Sequence, residues 1–386
     1  MKIFRVTTLS SQLNLLLKGQ FAYLAENDFE VIVSSAKDKG YNHIEELVSR
    51  EKCTWLRLPI TRRFNPVYDL ITFMALLFYF KKYKPDIVHT HSPKAGFIGQ
   101  FAAYVCNVPT RIHTVAGLPL VESSGIKKCV LEQVEKFTYN MAHWILPNSI
   151  NMAEFILNNE LTKREKINVI GNGSSNGIDL DYFSITDDII VTSNNLKSDL
   201  KIPDDVTLLL YVGRMARSKG LIELVRAFDI LQLQNSKLHL LLVGNLDEKD
   251  LLPNEITKII LNSERITFVG HKKDVRPYMY MSDIFIFPSY REGLPQSLLQ
   301  ACAMGKCCIA TNIDGCNEII SNQVNGLLVP VKDIGAIINA INCIIESPTK
   351  QKSYGLAAQE FVKRNYDKKI LYSELLFFYR QNSHSN

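Results

Sequence analysis

Tyr211-Val-Gly-Arg-Met-Ala-Arg-Ser-Lys-Gly220 is a short apolar strand that ends in glycine and passes, through two cations, into a helical pattern. Glycine at such a turn lets backbone approach a ligand closely, and the helix that follows offers unpaired N–H groups and a positive dipole end. Arg214 adds a planar fork of donors and Lys219 a point charge. This set of parts suits a diphosphate, although a solvated surface turn has the same composition. The pattern recurs at Pro288-Ser-Tyr-Arg-Glu-Gly-Leu-Pro-Gln-Ser-Leu-Leu-Gln-Ala301. There a strand again feeds a helix, Glu292 stands in the loop, and Pro295 sits where a first helical turn tolerates it.

Around these stretches, strand and helix patterns alternate. The expected strands before residue 180 are Lys2–Thr7, Glu30–Ser34, Cys53–Leu58, Asp86–Thr90, Thr110–Thr114, Trp144–Pro147 and Ile167–Ile170. A polar, aperiodic stretch at Thr186–Asp205 reads as a linker. The second series is Val206–Val212, Leu238–Val243, Ile266–Val269, Ile284–Phe287, Cys307–Ala310 and Leu327–Val329. Short β-branched strands separated by helix-length segments predict an α/β fold of parallel, doubly wound sheets, with ligands beyond the carboxyl ends of the strands. We expect a first Rossmann-like domain over 1–185 and a second over 186–365. A terminal helix over 366–386 has no strand after it.

The 386 residues suffice for two cores, and 46% apolar with 22% charged residues is an ordinary globular composition. A net charge of +5 suits an anionic ligand or an anionic membrane surface. Without a dense basic tract, nucleic acid is not an expected partner. Eight cysteines lack framework spacing, which predicts reduced, buried thiols in a cytoplasmic protein. The chain opens directly as a strand, Met1-Lys-Ile-Phe-Arg-Val6, which reads as no signal peptide.

In its motifs the chain resembles the family-4 glycosyltransferases, retaining enzymes of the GT-B fold that use nucleotide sugars. The resemblance runs over nearly the whole length. It rests on Gly213-Arg214, Lys219-Gly220, Leu242-Val-Gly244, Val269-Gly270 and Asp283-Ile-Phe-Ile-Phe-Pro-Ser289 leading into Arg291-Glu-Gly293. Ala303-Met-Gly305, Gly315-Cys-Asn-Glu-Ile319 and Asn325-Gly-Leu-Leu-Val329 continue it. In the amino half, His89-Thr-His-Ser-Pro-Lys-Ala-Gly96 and Arg111-Ile-His-Thr-Val-Ala-Gly-Leu-Pro119 resemble the branch that builds bacterial capsule, O-antigen and lipid-linked oligosaccharides. The GT-B fold implies two Rossmann-like domains facing a cleft, with the terminal helix crossing back to the first.

The resemblance implies a UDP-sugar donor on the second domain and a lipid-linked saccharide acceptor on the first. Arg214 and Lys219 would hold the departing diphosphate, beside Gly213 and the backbone of Gly293 and Leu294. Glu292 has two readings, a contact to the transferred sugar or a carboxylate complementing a helix dipole. The family's second acid, commonly assigned to the ribose hydroxyls, is Gln300 here, so the charge-assisted bond is lost. The base would lie near Val269, Gly270, His271 and Lys272. Glu318 would support phosphate or sugar, or else cap a helix. His113 ends a strand where the family often has a catalytic-site histidine: its neutral imidazole could hydrogen-bond a sugar hydroxyl, and titrating near neutrality it could handle a proton, or it simply caps the strand.

On the acceptor side we expect His91, with Lys94 and Gly96 opening the next helix to receive a phosphate. His89 and His91 share one strand face, a spacing that suits a metal pair but has no third ligand nearby. The family's paired glycines after the first strand are replaced by Thr7-Thr-Leu-Ser-Ser-Gln12. No metal or other cofactor is expected. Asp179-Leu-Asp181 has metal-site spacing but reads as a turn, and no carboxylate nucleophile is evident on the first domain. The apolar segment Leu70–Phe80, followed by Lys81, Lys82 and Lys84, is too short to cross a bilayer. It predicts either a helix buried on a sheet or peripheral contact with the inner face of the plasma membrane. Two other readings stay open: an inactive nucleotide-sugar-binding subunit of a glycan assembly complex, and a GT-B-fold epimerase.

Overall fold

The computed structural model describes residues 1–37, 44–118, 120 and 123–383. The chain forms two compact units, one of residues 1–177 with 368–386, the other of residues 178–367. Each is built on one sheet of six parallel strands. In the first unit these are β1 (Lys2–Leu9), β2 (Glu30–Ala36), β3 (Thr54–Arg57), β4 (Ile87–His91), β5 (Thr110–Val115) and β6 (Trp144–Pro147), in the order β3-β2-β1-β4-β5-β6. In the second they are β7 (Thr207–Val212), β8 (Leu238–Val243), β9 (Ile266–Phe268), β10 (Ile284–Phe287), β11 (Cys307–Thr311) and β12 (Leu327–Val329), in the order β12-β11-β10-β7-β8-β9. The winding reverses between β1 and β4 in one sheet and between β7 and β10 in the other. A crevice opens at such a reversal because successive connections leave toward opposite faces.

The strands are apolar along both faces because helices cover both. In the second unit Leu209, Leu240, Ile284 and Ile309 pack to one side, with Leu210, Leu241, Phe285 and Cys308 to the other, all wholly buried. Each such aliphatic side chain contributes about 1.5–3 kcal/mol. In the first unit the terminal helix, Lys368–Asn382, sets Leu375, Leu376 and Tyr379 against Phe21, Val31 and Val33. The helices Pro66–Tyr83 and Pro93–Val105 cover the opposite face through Leu76, Phe80, Ile98 and Ala102.

Three expectations are corrected. Ile167–Ile170 is not a strand, since only Ile167 forms an isolated bridge, to Ile145. The stretch read as a linker contains a helix, Asp187–Asp199, started by Thr186 Oγ1 accepting from the Ile189 N–H. Only Ile189 and Ser193 of that helix are buried, so its apolar stripe is too thin to show periodicity. The first unit ends at Gly177 rather than 185, because Ile178 already joins the second core. Pro119, the end of one amino-half motif, lies outside the described residues.

Candidate functional site

In the second unit the loops leaving β7 to β11 meet at the carboxyl edge of the sheet, where glycine is a steric requirement. A Cβ on Gly244, at φ 147°, would stand 1.8 Å from the Gly213 carbonyl oxygen. One on Gly220, at φ 72°, would stand 1.9 Å from that of Pro288. The loops after β7 and β10, on either side of the reversal, are joined by Lys219 Nζ donating to Glu292 Oε1 at 2.5 Å. Both side chains are largely withdrawn from water. Arg214 is exposed and pairs with Asp247 from the β8 loop. Backbone hydrogen bonds from Lys249 and the charge of Arg214 hold that carboxyl below its usual range.

Glu292 precedes the helix Gln296–Ala303, whose N-cap, Pro295, supplies no side-chain acceptor. The Gln300 carboxamide, half-buried on that helix, has no partner among the described residues. Val269, Gly270, His271 and Lys272 follow β9 on the same edge, with His271 exposed and open space over Gly270. Glu318 lies in turns between β11 and β12, so the helix-cap reading fails for want of a helix. Asp179 serves its own turn, Oδ1 accepting from the Tyr182 N–H at 3.1 Å.

The first unit holds a cavity of about 220 Å³ at its own reversal, bordered by Thr7, Gln12, His91, Ser92, His113, Thr114, Glu135 and Ser175. Where paired glycines were missing, β1 runs on into a π-helical turn, Gln12–Leu16, and Gln12 and Leu16 line the opening. Such turns are frequent at functional sites. Ser92 takes a left-handed φ of 73° between β4 and the next helix and touches Thr8 through its hydroxyl at 2.7 Å.

His113 lines this cavity, held through Nδ1 by Thr90 Oγ1 at 2.8 Å. Burial pushes it down to about 4. It is therefore neutral at physiological pH, which suits the expected hydrogen bond to a sugar hydroxyl and makes the ring a weak proton acceptor. Gly96 is required by that ring: a Cβ there would stand 2.4 Å from His113 Cε1. Lys94 does not line the cavity. Its ammonium is bound by Asp69 at 2.6 Å and donates to Thr61 Oγ1 and the Arg63 carbonyl. The rings of His89 and His91 stack at 4.4 Å, and among the described residues no third histidine, cysteine or carboxylate joins them as a ligand set. Arg5, fully buried, donates through Nε and Nη2 to His91 Nε2. His89 is taken up by Tyr379 and Thr114.

Sequence reasoning missed Arg5, Glu135, Asp247 and Tyr379. The one available signal was an arginine inside the apolar run of β1. Glu135 lies on the helix Gly125–Met141 among polar neighbours that mark it as an outward residue, and only the fold turns it to the cavity.

Two family models match the chain, a glycosyl transferase 4-like domain at residues 17–173 and glycosyl transferases group 1 at residues 192–361. The chain is 28% identical over 379 residues to the capsular polysaccharide biosynthesis glycosyltransferase CapM of Staphylococcus aureus, covering 98% of this chain and 96% of that one. It is 29% identical over 289 residues to an Escherichia coli UDP-Gal:alpha-D-GlcNAc-diphosphoundecaprenol alpha-1,3-galactosyltransferase, covering 73% of this chain and 72% of that protein. Its fold is similar to that of HepE from Anabaena, solved in complex with UDP, with a TM-score of 0.80 and 18% identity over 99% of this chain and all of that one.

Proposed function

The chain belongs to the family-4 glycosyltransferases of the GT-B fold, and on that premise we propose that it moves a hexose or N-acetylhexosamine from a UDP-sugar to a polyprenyl-diphosphate-linked saccharide. The setting is assembly of a bacterial surface polysaccharide at the inner face of the plasma membrane. The observation that carries this reading is the Lys219–Glu292 pair, which joins the β7 and β10 loops at the reversal, with Arg214 beside it.

Transfer releases a diphosphate, so negative charge grows on its oxygens as the C1–O bond breaks, and preorganised cations lower that barrier. Arg214 and Lys219 are those cations, kept in position by Asp247 and Glu292 before the donor arrives. Backbone N–H groups from Gly293 to the first turn of Gln296–Ala303 add donors at a helix start. Glu292 then accepts from a hydroxyl of the transferred sugar, Gln300 from the ribose, and the Val269–Lys272 loop takes the base. Glu318 supports the phosphate or sugar. His91 and His113 contact the acceptor. The acceptor oxygen attacks from the face the diphosphate leaves, and a departing phosphate oxygen takes its proton, which retains configuration and uses no metal. UDP-linked and α-linked terms in the E. coli relative's name support the donor class and retention.

The test is product mass after incubation with a panel of UDP-sugars and bacterial lipid-linked saccharides, with and without EDTA. Transfer is expected in EDTA. Arg214→Ala and Lys219→Ala are each expected to lower kcat by about 10²–10³ with the fold intact. Rates within threefold of the parent in both variants would remove the pair from the mechanism. Activity lost to EDTA and restored by magnesium would overturn metal independence.

A further inference from the structure

Arginine has five N–H donors and no acceptor, so every polar atom facing Arg5 must present a lone pair. His91 Nε2, 3.1 Å from Nε and 2.7 Å from Nη2, is therefore bare, and the proton of its neutral ring is on Nδ1. Burial and the neighbouring Arg5 charge favour that neutral ring. The Tyr379 oxygen accepts from Nη1 at 2.6 Å, which directs its own proton to His89 Nδ1 at 2.6 Å. His89 then carries its proton on Nε2 and donates to Thr114 Oγ1 at 2.7 Å. The Thr114 hydroxyl proton and His91 Nδ1–H have no partner among the described residues, and both side chains line the cavity. Behind them Arg5 has no carboxylate within ion-pair distance among the described residues, so its charge polarises both donors.

Glu135, only 3% exposed, also lines the cavity and has no ion pair among the described residues. The Tyr139 hydroxyl lies against that carboxyl and partly offsets the effect of its burial, and it has no other partner among the described residues. The site thus offers polarised donors from Thr114 and His91 and an acceptor from Glu135. A phosphate diester only accepts, so it would need Glu135 protonated, and the ionised carboxyl would meet it lone pair to lone pair. A sugar ring, whose hydroxyls both donate and accept, satisfies all three.

We propose that this cavity is a subsite for one sugar ring of the acceptor, with its hydroxyls held by Thr114, His91 and Glu135, and that the acceptor's diphosphate lies outside it. The assignment of an acceptor rests on the transferase reading, but the choice of sugar over phosphate rests on the direction of these hydrogen bonds. Arg5, Tyr379 and His89 are positioning residues acting through Thr114 and His91.

Saturation-transfer NMR on the full chain at pH 8, where Glu135 is ionised, tests it with the methyl α-glycosides of glucose, galactose and N-acetylglucosamine, with methyl phosphate, a dianion without an O–H donor, as competitor. At least one glycoside is expected to bind. Its signal should fall at least fivefold in Thr114→Val and Glu135→Gln and persist under methyl phosphate, while UDP binding stays unchanged in both variants. Tyr379→Phe should weaken the glycoside, and in transfer assays raise the acceptor KM more than it lowers kcat. Displacement by methyl phosphate, absence of glycoside binding, or equal signals from parent and variants would each overturn the proposal. Glycoside binding without any transfer would instead sink the transferase reading and leave the subsite standing.

Discussion

Glu135 is a buried carboxyl with no ion pair among the described residues, and burial lifts it from the usual 4.5 to about 7. An acid raised on folding contributes stability that is full below its unfolded value and lost as pH rises through the folded one. Above pH 7 the folded chain therefore carries a buried carboxylate at a cost of up to about 3 kcal/mol. Glu135→Gln removes that cost. The variant is expected to melt higher than the parent at pH 8, and the gap should close by pH 4.5. The buried histidines, neutral when folded, destabilise the chain as pH falls below about 6.5, but this affects parent and variant alike and cancels in the comparison. A gap that is the same at both pH values would mean the carboxyl is not desolvated. Residues of this kind were the least legible in the sequence. Lys219 and Glu292 announced themselves because loop chemistry is local, whereas Arg5 and Tyr379, 374 positions apart, meet only once the chain has folded.

Apart from Ile167–Ile170, the expected strands were legible to within two residues at either end, because a strand covered on both faces writes a mostly apolar run. The helix Asp187–Asp199 was not, since two buried residues cannot produce a period. The helix Pro93–Val105 touches the cavity through Pro93 and otherwise serves the site from behind. Gly96 brings its backbone against the His113 ring, and Gly99 does the same to Thr90, whose hydroxyl holds that ring. Gly96→Ala would force a methyl into space the imidazole occupies. Because Thr90 and Gln100 fix the ring from behind, overpacking is expected to cost about 1–3 kcal/mol. Acceptor use should fall while UDP binding holds. Thermal melting and UDP titration check this together, and a variant with parental stability and acceptor use would show that the ring has room to move.

No helix among the described residues is long and apolar enough to cross a membrane, yet one face of the first unit is unusual for a protein surface. The helix Pro66–Tyr83 buries one apolar face on the sheet and leaves a second one exposed. Thr72, Leu76 and Phe80 pack inward, while Leu70, Met74 and Phe78 are 62%, 57% and 61% exposed. Phe97, Phe101 and Tyr104 extend this stripe on the neighbouring helix, where Phe73 stacks on Phe101 at 5.0 Å. Contiguous exposed apolar surface of this kind marks an interaction face. Lys81, Lys82 and Lys84 at its end are exposed, and Lys82 lies over the Phe78 and Tyr83 rings. Apolar side chains would enter the headgroup region and the lysines would meet anionic lipid, each worth about 1 kcal/mol near the surface. In flotation with vesicles of phosphatidylethanolamine and phosphatidylglycerol, the parent should float at low salt and less at high salt. A Lys81/Lys82/Lys84→Glu variant should stay in the pellet at both. Leu70/Phe78→Ser should lose the fraction that survives high salt, because only burial of apolar surface is insensitive to screening. If the parent does not float, or if all three proteins float alike, this face does not hold the enzyme on the membrane, and the lipid-linked acceptor must be drawn from it by other contacts.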